Sequence, residues 1–226
     1  MKRIFLIDDN LYNQQEQYGC TYLTNGAYAS ILELVYAIRL PDFNDLMPRI
    51  QSAPAILIHD TFLDRDAKGK IKDGSISIRN KIVDITEYDK IPLVLFSNSK
   101  QDVKLLPTDD NAIRLEINKQ RFYSHLRDFL EFYQASGEIE FRILMHGEDF
   151  LTVEAMRLRD RLLNHAAGYE GNELMMLSQG TDDLDKLFKL AGRHGEWKEF
   201  VNNPHLTVCD FRAMIRELYE RIQDHG

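Results

Sequence analysis

Ala55-Ile-Leu-Ile-His-Asp60 is the stretch on which the fold turns. Four apolar residues run without interruption and stop at a histidine and an aspartate. A run of that length, apolar at every position, suits a strand buried on both faces, the usual state of a parallel sheet. Three other runs, apolar on nearly every residue, resemble it. Arg3-Ile-Phe-Leu-Ile7 ends in Asp8 and Asp9, Ile91-Pro-Leu-Val-Leu-Phe96 ends in Ser97, and Ala112-Ile-Arg-Leu-Glu-Ile117 ends in Asn118 and Lys119. A further strand is expected over Leu32 to Ile38. Amphipathic segments separate the runs. Asp42 to Gln51 carries Phe43, Leu46, Met47 and Ile50 at helical spacing, against the helix-breaking tendency of Pro48. Ser75 to Tyr88 carries Ile78, Ile82 and Ile85, and Gln120 to Tyr133 carries Phe122, Leu126, Phe129, Leu130 and Tyr133. Strands alternating with helices predict an α/β fold with right-handed crossovers.

The pattern changes near Ala135-Ser-Gly137. Beyond it, helices are expected over Thr152 to His165, opening on Leu151-Thr-Val-Glu154, then over Asp182 to Ala191, Gly195 to Val201 and Thr207 to Ile222. Asn203-Pro204 is a breaker, and Glu138 to Leu144 reads as a strand or an extended linker. The expected organisation is one α/β domain over 1–134 and a mainly helical region over 135–226.

Of 226 residues, 36 are acidic and 28 are Lys or Arg, a net charge of −8. That balance argues against a protein whose main work is coating nucleic acid. The last helix carries Arg212, Arg216 and Arg221, but Asp210, Glu217 and Glu220 alternate with them, as on a salt-bridged solvated face. Cys20 and Cys209 form neither a disulfide framework nor a metal-ligand spacing, and the seven histidines show no ligand spacing. The apolar run after Met1-Lys2-Arg3 is too short for a signal peptide, and no window reaches the ~20 apolar residues of a membrane span. A cytoplasmic protein without a membrane segment is expected. The polar, basic stretch Asp64 to Gly74 reads as a surface loop, with a lid or docking surface as its functional alternative.

Ligands of open α/β sheets sit at the carboxyl ends of the strands. Here those ends carry Asp8, Asp9, Asp60, Ser97 and Lys119. Three crowded carboxylates repel one another unless a cation intervenes. A hard cation such as Mg²⁺ suits oxygen ligands of that kind, with the hydroxyl and the ammonium beside it completing a cradle for a phosphoryl group. His59, a strand neighbour of Asp60, points to the other face and reads as a packed or capping histidine. Ser99 and Lys100 read as the start of a loop into the next helix, and Trp197 with Phe188 and Phe200 reads as core.

In these features the chain resembles the receiver domain of response regulators, the CheY-like family. Lys2-Arg-Ile-Phe-Leu-Ile-Asp-Asp-Asn10 looks like its opening strand, and Ala55-Ile-Leu-Ile-His-Asp60 like its phosphoacceptor strand. Leu93-Val-Leu-Phe-Ser97-Asn98 looks like its hydroxyl-bearing strand, and Ile113-Arg-Leu-Glu-Ile-Asn-Lys119 like its lysine-bearing strand. The span from Ser97 to Lys119 suits the strand–helix–strand unit of such domains. The resemblance covers roughly residues 1–134. It implies a CheY-like doubly wound parallel sheet in which Asp8, Asp9, Asp60 and the Phe62 backbone carbonyl hold Mg²⁺. Asp60 would be the phosphoacceptor, Ser97 and Lys119 would bind the phosphoryl group, and Lys119 would pair with Asp60 before transfer. The implied donor is a histidine kinase or a phosphotransfer protein. The helical region would engage a protein partner or self-associate.

The chain also departs from the family. Glu116 stands where an aromatic switch residue is usual, Gln120 stands where proline is usual, and the segments flanking Asp60 are long. These departures favour an alternative, a pseudo-receiver that binds partners without phosphate. A haloacid dehalogenase-like phosphatase is a more distant alternative, because Asp8-Asp9-Asn10 lacks that family's Asp-x-Asp.

Overall fold

The computed structural model describes residues 2–36, 40–63, 66, 68, 70–72, 78–101, 103–107, 113–170 and 175–224. Contacts divide the chain into two compact units, Met1–Leu130 and Glu131–Gly226. Among the described residues no helix is long and apolar enough to cross a membrane.

The first unit is α/β. Its strands are β1 (Ile4–Ile7), β2 (Leu32–Val35), β3 (Ile56–His59), β4 (Leu93–Ser97), β5 (Lys104–Pro107) and β6 (Ile113–Asn118). They form one sheet in the order β2-β1-β3-β4-β6-β5. All neighbours are parallel except β5, which runs antiparallel to β6. The continuous apolar runs are the central strands β1, β3 and β4, whose Ile4, Leu6, Ile56, Leu57, Val94 and Leu95 are fully or almost fully buried. Helices α1 (Leu11–Tyr18), α2 (Leu40–Gln51), α3 (Ile78–Tyr88) and α4 (Lys119–Ser136) accompany the strands.

Side chains alternate across a sheet. Phe5, Ile7, Ile56, Ile58, Leu93 and Leu95 share one face. Their core includes Phe43, Leu46 and Ile50 of α2 and Ile78, Ile82 and Val83 of α3. Phe96 of β4 points to the other face, where Phe122 of α4 stacks on it at 4.0 Å. Pro48 lies inside α2, which continues through it.

Three expectations are corrected. The span between β4 and β6 holds the antiparallel strand β5 and not a helix among its described residues. Leu105 pairs with Leu115 and Lys104 with Glu116, so alternation, not a 3.6-residue period, organises this segment. Lys100 therefore lies three residues beyond β4 in a turn that leads to a strand. The segment read as a strand or linker contains α5 (Arg142–His146), because Phe141 and Leu144 are buried three residues apart, on one side of a helical turn. The strand expected to reach Ile38 is described only to Val35, and residues 37–39 lie outside the described residues.

The second unit contains α5, α6 (Glu148–Ala166), α7 (Met175–Leu190), α8 (Trp197–Val201) and α9 (Val208–Asp224). Ala155, Leu158, Leu162, Leu184, Leu187, Phe188, Phe211, Ile215 and Leu218 form its core, with Trp197 and Phe200 packed partly buried against it. Arg212 donates to the Ala166 carbonyl at 2.6 Å, closing the last turn of α6 against α9.

Candidate functional site

The parallel register fixes where the strand ends fall. His59 is level with Phe96 and Ser97 with Asn118, so Asp60, Ser97 and Lys119 leave three adjacent strands at one sheet edge. The Asp60 amide donates to the Phe96 carbonyl at 3.0 Å, which ties the start of its turn to β4. Phe62 is fully buried, its amide bonded to the His59 carbonyl at 3.0 Å.

Asp60 keeps about a fifth of its side chain exposed. Oδ1 accepts a short hydrogen bond from Arg79 Nη2, in the first turn of α3. Oδ2 lies 3.7 Å from Lys100 Nζ. Burial pushes the Asp60 carboxyl up, but the hydrogen bond and charge of Arg79, with Lys100 and His59 behind them, hold it below the usual carboxylate range. The Arg79 amide donates to the Phe62 carbonyl at 3.3 Å, so the chain that carries the guanidinium is anchored in the Asp60 turn itself. Arg79 Nη1 donates to Asn80 at 2.9 Å, and Nε is buried without an acceptor among the described residues.

From Asp60 the ion pairs continue across the sheet. Lys100 Nζ donates to Glu116 Oε2 at 2.8 Å, Arg114 reaches Glu116 Oε1 at 3.1 Å, and Arg114 also meets Glu87 of α3 at 3.1 Å. The hydrogen bond from Lys100 holds the Glu116 carboxyl low, against burial, with help from the Lys100 and Arg114 charges. The Lys100 carbonyl accepts from Asn118 Nδ2 at 3.2 Å, which fixes the turn that presents the ammonium. Glu116, noted for its departure from the receiver pattern, is thus the anchor of Lys100.

Asp8 lies on the other side of β1 from Phe5 and Ile7, and it is completely buried. Its Oδ1 accepts the Asn10 amide at 2.9 Å, and its Oδ2 accepts the Tyr123 hydroxyl at 2.7 Å and lies 3.8 Å from Lys119 Nζ. Lys119 therefore pairs with Asp8, whereas a pairing with Asp60 was expected. Burial lowers the Lys119 ammonium, and Asp8 partly restores it. Burial likewise raises the Tyr123 hydroxyl well above its ordinary range. His59 packs edge-on against Phe96 at 5.5 Å, and its Nδ1 accepts the Thr61 amide at 3.2 Å, a packed and capping role. Burial keeps this imidazole below its ordinary value. Ser97 is buried, its hydroxyl 2.8 Å from that of Ser99. Gln120 donates its amide to Asn118 Oδ1 at 2.9 Å, capping the start of α4. Asp9 is half-buried just past the end of β1.

These contacts test the fit of a divalent cation. Both oxygens of Asp8 and both of Asp60 already meet donors or cations of the chain, and the Phe62 carbonyl already accepts the Arg79 amide. Among the described residues no group of three acidic, histidine or cysteine side chains is assembled as a metal cluster. With their oxygens so engaged, Asp8 and Asp60 do not fit Mg²⁺ in this arrangement. Arg79 and Tyr123 escaped sequence reading because a charge in a first helical turn, or a tyrosine on an apolar helix stripe, carries no signal of its own.

Comparison with known proteins gives no match: no family model fits the chain, and no curated protein or solved structure is significantly similar to it. The receiver resemblance rests on the residues alone.

Proposed function

We propose that residues 1–130 are a receiver-like signalling module of the two-component type, with a CheY-like doubly wound arrangement, in which Asp60 accepts a phosphoryl group. The observation that carries this reading is the register of β3, β4 and β6, which aligns Asp60, Ser97 and Lys119 on neighbouring strand ends. In this reading a histidine kinase or phosphotransfer protein supplies the group, and the carboxylate of Asp60 is the nucleophile. Arg79 and Lys100 offset the charge that gathers on the transferring oxygens, which is the protein's main task in phosphoryl transfer. The helices of residues 131–226 engage a protein partner or a second copy.

The test is incubation of the purified chain with acetyl phosphate in magnesium buffer, followed by intact mass measurement. One added phosphoryl group is expected, and none in Asp60→Asn. An unchanged mass would remove the acceptor role.

A second reading has its own support. Asp60 is already neutralised by Arg79 and Lys100, which suits a pseudo-receiver that binds a partner without phosphate. In that case Asp60→Asn alters local stability and leaves partner binding as it was.

A further inference from the structure

We propose that Arg79 and Lys100 stand in for the divalent cation at this site, so that phosphoryl transfer to Asp60 proceeds without a metal. The inference rests on the reading of Asp60 as the acceptor.

Two positive charges flank the carboxylate, one on each oxygen: Arg79 on Oδ1 and Lys100 on Oδ2. Together they supply the charge that a divalent ion would bring. Both are held in place from outside the pair. The Arg79 main chain is bonded to the Phe62 carbonyl, and Lys100 is braced by Glu116 through its ammonium and by Asn118 through its carbonyl. Glu116 takes part of the Lys100 charge at 2.8 Å, and Arg114, which also meets Glu87, shares that carboxylate at 3.1 Å. The Nε of Arg79 is buried and lacks an acceptor among the described residues. A planar guanidinium is well matched to phosphoryl oxygens. Asp8, another acidic residue of the expected ligand set, has both oxygens engaged by Asn10, Tyr123 and Lys119.

The reaction balances without further participants. Oδ2, the less tightly held oxygen, attacks the phosphorus of acetyl phosphate. The new O–P bond forms as the bond from phosphorus to the acetyl oxygen breaks. Acetate leaves with the electron pair, and neither a proton nor an oxidant is required.

The experiment follows adduct mass over time on the full chain, stripped of metal, with acetyl phosphate in excess EDTA or in excess Mg²⁺. Comparable accumulation in both arms, absent in Asp60→Asn, is the expected result. Arg79→Gln should slow the EDTA arm by about 10- to 100-fold, the loss of one charged hydrogen bond. An adduct with Mg²⁺ and none with EDTA would overturn metal independence and leave the acceptor reading standing. No adduct in either arm would defeat the acceptor reading and this inference with it. The wild-type comparison needs no variant, so it holds even if Arg79→Gln folds poorly.

Discussion

Near the sheet edge that carries Asp60, Asp8 is a fully buried carboxylate. A buried charge persists only when paired and hydrogen-bonded. Tyr123 and Lys119 supply those partners, and the Tyr123 ring is fixed by stacking on Tyr18 at 5.3 Å. Tyr123→Phe keeps the ring and deletes only the hydroxyl, so it should destabilise the first unit by about 1–3 kcal/mol. Lys119→Met leaves the carboxylate without its counter-charge and should cost more, about 3–5 kcal/mol. Urea unfolding read by tyrosine fluorescence measures both, and equal effects would show that the ammonium is not Asp8's main support. Asp8, Asp60, Ser97 and Lys119 were legible in the sequence because each ends an apolar run, and strand ends share an edge. Their pairing was not legible. Which carboxylate a lysine meets depends on which face of its strand each aspartate leaves, and on a helix residue 115 positions away in the chain.

At the scale of elements, β6 alternates buried Leu115 and Ile117 with half-buried Arg114, Glu116 and Asn118. With β5 in place of a helix between β4 and β6, that polar side carries the ion-pair chain from Asp60 to Glu87. The chain makes the first unit sensitive to acid. Asp60 and Glu116 are both held below their ordinary values in the folded protein. The unfolded state therefore takes up protons first as pH falls below about 4. Their contribution is complete above that range and is lost as pH drops through the folded values. His59 is also depressed, so its share of the loss begins earlier, below about pH 6.5. Melting temperature followed from pH 8 to 3 should be flat at first, begin to fall near the histidine range, and fall further near pH 4. In Glu116→Gln the second fall should shrink. A melting temperature that rises on acidification would contradict the network. The main strands and α2 to α4 were legible because their periods are strong. β5 was not, since four residues that pair antiparallel resemble any short apolar stretch. α1 was missed as well, because it buries only Leu11 and Gln14.

Over the whole molecule, the sheet edge that carries Asp60 and the helical core draw on separate residues. The ion-pair and hydrogen-bond partners named for Asp60 and Asp8 run from Asn10 to Tyr123, and the helical cluster runs from Ala155 to Ile222. The change of pattern near Ala135 was visible in the sequence, and the compact units divide between Leu130 and Glu131, inside α4. A helix that carries one apolar stripe past such a division gives periodicity nothing to mark. The separation of residues has a consequence for mutants. Phe211 is 1 % exposed at the centre of the helical cluster, and Phe211→Ala should cost about 3–5 kcal/mol through lost burial and the cavity left behind. That loss should appear as faster amide hydrogen exchange across α6, α7 and α9. Protection in β1, β3 and β4 should stay as it was, and the yield of phosphoryl adduct on Asp60 should not change. Loss of the adduct in this variant would mean that the sheet edge that carries Asp60 needs the helical unit intact. The module would then extend beyond the sheet and the helices that accompany it.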